Sequence, residues 1–116
     1  MPLESVTDVG EPNEPPGPVF DHVIVFPATP LPAAPIGDDE TVLLNGERVP
    51  TFPTFIRNSG PGSVAGIPGI SVPAAMTAAG LPLGLELDGP AGSDARLLAI
   101  AAAVEDVLPR LPAPRL

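Results

Sequence analysis

The 116-residue sequence contains no cysteine, lysine, tryptophan or tyrosine, and one histidine, His22. Without cysteine there is no disulfide, no thiolate metal site and no thiol nucleophile. The same absence fits a cytosolic, reducing environment. With Lys, Cys and Tyr all missing, the side chains that usually act as nucleophile or general base are nearly exhausted. A self-sufficient enzyme with unfamiliar chemistry is therefore the least favoured reading. Positive charge is scarce: Arg48, Arg57, Arg96, Arg110 and Arg115 stand against 14 acids, for a net charge of -9. That balance opposes binding to a nucleic-acid backbone or an anionic membrane surface. No apolar run reaches the ~18 residues a bilayer span needs. The nearest, over 93–108, is interrupted by Asp94, Arg96, Glu105 and Asp106. No basic segment followed by an apolar one opens the chain, so no secretory leader is expected.

Backbone breakers are abundant, with 19 prolines and 12 glycines and no strict period. Such a content often marks disorder. Here it coexists with 44% hydrophobic residues and a mean hydropathy of +0.31, whereas disordered chains are poor in apolar residues. Buried strands joined by tight turns satisfy both facts. One small domain is the most that this length allows.

Residues 1–18 are acidic and breaker-rich and are expected to be disordered or unrelated to the rest of the chain. Val23-Ile-Val-Phe26, stopped by Pro27, has the continuous β-branched and aromatic character of a short strand buried on both faces of a parallel or mixed sheet. Ala28 to Gly37 is extended or irregular. Thr41-Val-Leu-Leu44 and Glu47-Arg-Val-Pro50 flank Asn45-Gly46, a pair that accepts the positive φ angles of a type I′ hairpin turn. Thr51 to Arg57 reads as a lid or pocket-lining segment, and Asn58 to Gly69 as a glycine loop. Gly69 to Pro73 and Leu83 to Leu87 are two further strands. Ser93 is placed to cap a helix, with Asp94 favourable at its positive end. Leu97, Ala101, Val104 and Leu108 form one apolar stripe, and Pro109 ends the helix. The tail from 110 to 116 is expected to fray. A core of this kind is thin, and its strand edges call for partners.

Four motifs in order carry a resemblance: Val25-Phe-Pro-Ala-Thr-Pro30, Gly66-Ile-Pro-Gly-Ile-Ser-Val-Pro73, Gly80-Leu-Pro-Leu-Gly84 and the helix that begins near Ser93. From about Asp21 to Leu108 the chain resembles the C-terminal part of the amidase signature family of hydrolases. The stretch from Val42 to Asn58 is most similar to the mandelamide-type branch, which acts on aryl-acetamides. The resemblance implies an α/β fold: a partial mixed sheet of about three strands, a hairpin and one C-terminal helix, with an incomplete core. It divides the chain into residues 1–18, an amidase-like portion over 19–109 and a tail over 110–116. The parent activity it implies is amide hydrolysis, in which a lysine acts through one serine to deprotonate a second, nucleophilic serine. Backbone N–H groups of an upstream glycine- and serine-rich segment stabilise the oxyanion. This chain has no lysine and no Gly-Gly-Ser-Ser-Gly run. No catalytic residue is therefore assigned, and the chain alone is expected to be inactive. A separate catalytic amidase chain is the expected partner, and a small amide is the substrate of the completed enzyme only.

Thr29, Phe52, Phe55 and Ile56 are the candidates for an acyl-side substrate pocket, since such pockets are mostly apolar; ordinary core packing is the competing account of each. Ser63, in Gly60-Pro-Gly-Ser-Val-Ala-Gly66, does not sit in a Gly-x-Ser-x-Gly elbow and reads as a loop or capping serine. The same glycines do not match a phosphate-binding loop, whose lysine is absent. His22 reads as a strand-edge residue rather than a triad member. Asp38-Asp-Glu40 reads as a solvated turn. No metal-ligand spacing occurs, and no cofactor is expected. The PxxP matches at 27–30, 32–35 and 50–53 are within chance for a proline-rich chain. The 19 prolines and the net charge of -9 motivate the alternative reading, a non-catalytic acidic scaffold that binds partners through extended segments, and the 44% hydrophobic content argues against it.

Overall fold

A computed structural model describes residues 22–113. Its elements are β1 (Ile24–Pro27), β2 (Thr41–Leu44), β3 (Glu47–Pro50), α1 (Thr51–Phe55), α2 (Gly60–Ala65), β4 (Gly69–Met76), β5 (Pro82–Asp88) and α3 (Asp94–Val107). The segment 1–18 and the last three tail residues lie outside the described residues.

β1, β5 and β4 form a three-stranded sheet in that order, and β2 and β3 form a separate hairpin. Every pairing is antiparallel. The parallel component of the expected mixed sheet is not found among the described residues. The strand expected at Val23–Phe26 is present one residue later, but it is not buried on both faces. Ile24 is 65% exposed and Val25 50%. Its β-branched run supplies strand propensity, and burial depends on neighbours that this part of the chain does not provide.

The hairpin forms as its turn residues dictate: Asn45 has φ 52° and Gly46 φ 84°, the two positive values a type I′ turn needs. The segment after it, read as a lid or pocket-lining stretch, begins with the short helix α1. In α1, the first backbone N–H, that of Thr51, donates to the Glu40 carbonyl at 3.0 Å. The Thr51 hydroxyl donates to the Asp38 carbonyl, also at 3.0 Å. The glycine loop at Asn58–Gly69 is not a loop throughout, because α2 occupies its middle. Pro61 opens α2, where a missing N–H costs nothing. Gly66 closes it in the left-handed region at φ 71°. There Ile67 N–H donates to Gly62 O, and Gly66 N–H donates to Ser63 O; these are the paired bonds of a Schellman motif.

β4 and β5 both run past their expected ends. β4 bulges between Pro73 and Ala75, where proline has no N–H to give the ladder. Alternation along β5 points Leu85 and Leu87 to the face covered by α3. Val72, Leu87, Leu97 and Ala101 make the buried cluster, with Val23, Ile70, Ile100, Val104 and Leu108 packed on it. The expected helix stripe is thus the buried one. Ser93 occupies the cap position, but its hydroxyl donates to the Pro90 carbonyl at 2.6 Å instead of accepting from the helix. The tight turn over Pro90–Ser93 takes up the side chain before the helix can.

Candidate functional site

The hairpin and the segment before it enclose a groove of about 250 Å³. Leu31, Pro32, Ala34 and Pro35 line one side, and Val42, Leu43 and Phe55 the other. The prolines fix this wall in an extended conformation with no side-chain freedom to lose. Polar groups are few: Asp38, Thr41 and Arg48. Arg48 Nη1 donates to Thr41 Oγ1 at 3.1 Å, which holds the guanidinium along the hairpin. Apolar walls with a few fixed polar groups suit a small, mostly apolar molecule.

Of the four candidate pocket residues, only Phe55 lines this groove. Phe52, on the same short helix, is 70% exposed, and Ile56 is 41% exposed. Thr29 is exposed, and its hydroxyl donates to the Leu31 carbonyl at 2.6 Å. That bond shapes the start of the groove wall without Thr29 entering it. The four are therefore not gathered into one pocket by this chain. Val42 and Arg48 line the groove without being singled out by the sequence motifs. Val42 is buried at 7% exposure, and no alternation of apolar and polar residues in Thr41-Val-Leu-Leu44 singles it out.

A second polar arrangement lies on the sheet face away from α3. Glu86 and Asp88 are two residues apart on β5 and share that face. Asp88 is buried. Gly62 of α2 and Gly69 of β4 approach its carboxylate so closely that an added Cβ would lie 2.5 Å from Oδ2 and 2.6 Å from Oδ1, respectively. Burial pushes the Glu86 carboxyl above its ordinary value of 4.5, and the neighbouring Asp88 charge and hydrogen bond add to this. The two carboxyl groups thus form a pair on that face. The pair shares no lining residue with the groove, so it brings no acid or base to a molecule bound there.

Ser63 is exposed on α2, and its backbone N–H donates to Ser59 O. His22 is exposed ahead of β1, and Asp38 to Glu40 are exposed ahead of β2. Among the described residues, no group of three or more His, Asp or Glu side chains is placed to hold a metal ion. No helix there is long and apolar enough to cross a membrane.

Residues 19–98 match the family model described as Amidase. The indoleacetamide hydrolase of Agrobacterium vitis is 52% identical over 85 residues, which is 73% of this chain and 18% of that enzyme. The mandelamide hydrolase of Pseudomonas putida is 53% identical over 64 residues, 54% of this chain and 13% of that one. A solved amidase crystal structure superposes with a TM-score of 0.69 at 34% identity, covering 75% of this chain and 20% of its own. The chain therefore spans about a fifth of the length of the relatives it matches. On these grounds the chain belongs to the amidase family.

Proposed function

We propose that this chain is the C-terminal portion of an amidase that hydrolyses small aryl-acetamides, inactive by itself and completed by a separate catalytic portion. The observation that carries this reading is the match to indoleacetamide hydrolase, close over 73% of this chain yet confined to 18% of the enzyme. Two of the three groups of relatives, indoleacetamide and mandelamide hydrolases, are named for amides carrying an aromatic ring one carbon from the carbonyl; the third, glutamyl-tRNA(Gln) amidotransferase subunits A, is less similar, at 36% identity. An apolar groove ending on Phe55 suits such a ring. The serines and the lysine would come from the partner, since this chain has no lysine at all. A cytosolic setting goes with the absence of cysteine. The alternative acidic scaffold has less support, because paired strands and a helix around a fully buried Leu87 are not what an extended binding segment needs.

The test is complementation. The full chain is mixed with an Agrobacterium vitis indoleacetamide hydrolase truncated before its matching C-terminal stretch, and ammonia release from indoleacetamide is followed. Activity in the mixture, with none from either part, is the expected result. Turnover by this chain alone, or a silent mixture in which the two parts demonstrably bind, would sink the reading.

A further inference from the structure

Of the asparagines Asn13, Asn45 and Asn58, only Asn45 is followed by glycine, and that pair makes the hairpin turn. Such a pair carries a latent reaction. The Gly46 backbone nitrogen, uncrowded by a side chain, attacks Cγ of Asn45. A Cγ–N bond forms, the Cγ–Nδ2 bond breaks, and the proton from the nitrogen leaves with Nδ2 as ammonia. Water then opens the five-membered imide at one of its two carbonyls. One opening gives aspartate. The other gives isoaspartate, in which the main chain runs through Cγ and gains one carbon. Water is the only co-reactant.

The closed hairpin opposes this reaction. Asn45, at φ 52°, is the only non-glycine residue with a positive φ among those described. In the left-handed region ψ is positive as well, whereas the planar imide holds ψ at negative values. The ring therefore closes only when the turn unwinds. Little keeps it wound: β2 and β3 have four residues each and, among the described residues, pair only with each other. An isolated two-stranded hairpin is marginal in water. Asp88-Gly89 can form the same ring with loss of water, but there the Gly89 N–H donates to the Pro68 carbonyl at 3.0 Å and Asp88 is buried. At Asn58, Nδ2 donates to the Pro27 carbonyl at 2.8 Å, and a serine follows. The fold thus restrains the other two sites more firmly than the turn.

We propose that Asn45 is a self-modification site gated by opening of the hairpin, and that its isoaspartyl product dismantles the groove. The two-residue turn needs both positive φ angles, and an extra main-chain carbon removes that fit. The register that sets Leu44 against Glu47 and Thr41 against Pro50 then fails. With it go the Arg48–Thr41 bond and the wall built from Thr41, Val42, Leu43 and Arg48. The aspartyl product spares the groove, because Asp-Gly fits the same turn.

Mass spectrometry tests the gating. The full chain is held at mildly alkaline pH, folded or in concentrated urea, and then cut after Glu40 and Glu47 to release residues 41–47. A gain of about one dalton marks conversion. Asn45 should convert at least about tenfold faster in the unfolded chain than in the folded one. Val42→Ala, which removes the buried contact of the hairpin, should speed conversion in the folded chain about threefold or more. In the purified isoaspartyl chain, the cross-strand NMR contacts of Val42 with Val49 and Leu43 with Arg48 should vanish, while N45D keeps them. Equal rates in folded and unfolded chains, or no conversion in urea, would overturn the gating. An isoaspartyl chain that retains those contacts would overturn the effect on the groove. Should V42A not fold, the comparison of folded and unfolded wild type decides.

Discussion

Leu87 is the side chain on which the small core depends, and truncating it should remove most of the stability of the chain. It is fully buried, between Val72 on the adjacent strand and Leu97 and Ala101 on α3. Leu→Ala in a close-packed site costs about 3–5 kcal/mol, from lost transfer energy plus the cavity left behind. Here α3 covers the sheet from one side only and has exposed space around it, so it can settle inward, which favours the lower figure, about 3 kcal/mol. Only five apolar residues are buried among those described, and a core of that size supports roughly 5 kcal/mol in all. With a urea dependence of about 1–1.5 kcal/mol per molar, Leu87→Ala should move the unfolding midpoint down by about 2–3 M. With no tryptophan or tyrosine in the chain, the signal to follow is circular dichroism at the helical minimum, which α3 dominates. Leu98→Ala is the control: the residue sits on the same helix but is 60% exposed, and its loss should cost under about 0.5 kcal/mol. Equal effects of the two substitutions would refute the reasoning. So would a wild-type chain with no cooperative transition, because the α3–sheet core would then not hold by itself.

Gly62→Ala should destabilise by about 2 kcal/mol, since its methyl would be driven into the Asp88 carboxylate. Gly60→Ala, with open space at its Cβ, should be neutral or stabilising by up to about 1 kcal/mol; both are read from urea midpoints. Asn58→Ala should cost about 1 kcal/mol through the lost bond to the Pro27 carbonyl. Because the folded state raises the Glu86 pKa above 4.5, the stability owed to this group is full below that value and is lost as pH rises through the raised value. Glu86→Gln should therefore gain on the wild type as pH rises above about 4.5; a constant gap between their midpoints would show that folding does not raise the Glu86 pKa.

The hairpin is fully legible in the sequence, because Asn45-Gly46 specifies its own backbone through local sterics. The α3 stripe is legible for a similar reason: its period is a property of consecutive residues. The existence of β1 can be read, but its burial cannot, since a β-branched run reports propensity and says nothing about which neighbours are present. α2 is hidden by its glycines. They lower helix propensity, yet Gly62 is there because Asp88 leaves no room for a side chain, and Gly66 because the helix must end left-handed. Both reasons are long-range or positional. The groove is only partly legible. Phe55 faces it and Phe52 does not, a difference set by the phase of a five-residue helix that the flanking prolines conceal. The clustering of Glu86 and Asp88 can be read from the Leu-Glu-Leu-Asp alternation, whereas their closeness to α2 cannot.

The hairpin packs chiefly on α1, while α3 packs on β4 and β5. The groove and the hydrophobic core are therefore built from different residues that share little contact. A substitution in the groove, at Leu43 or Phe55 for example, leaves the Leu87 cluster untouched, and contributions from well-separated sites add. Side chains of the groove wall can therefore change without eroding the fold. A homologous hairpin cassette, from Ala28 to Phe55, should be exchangeable between family members as a unit.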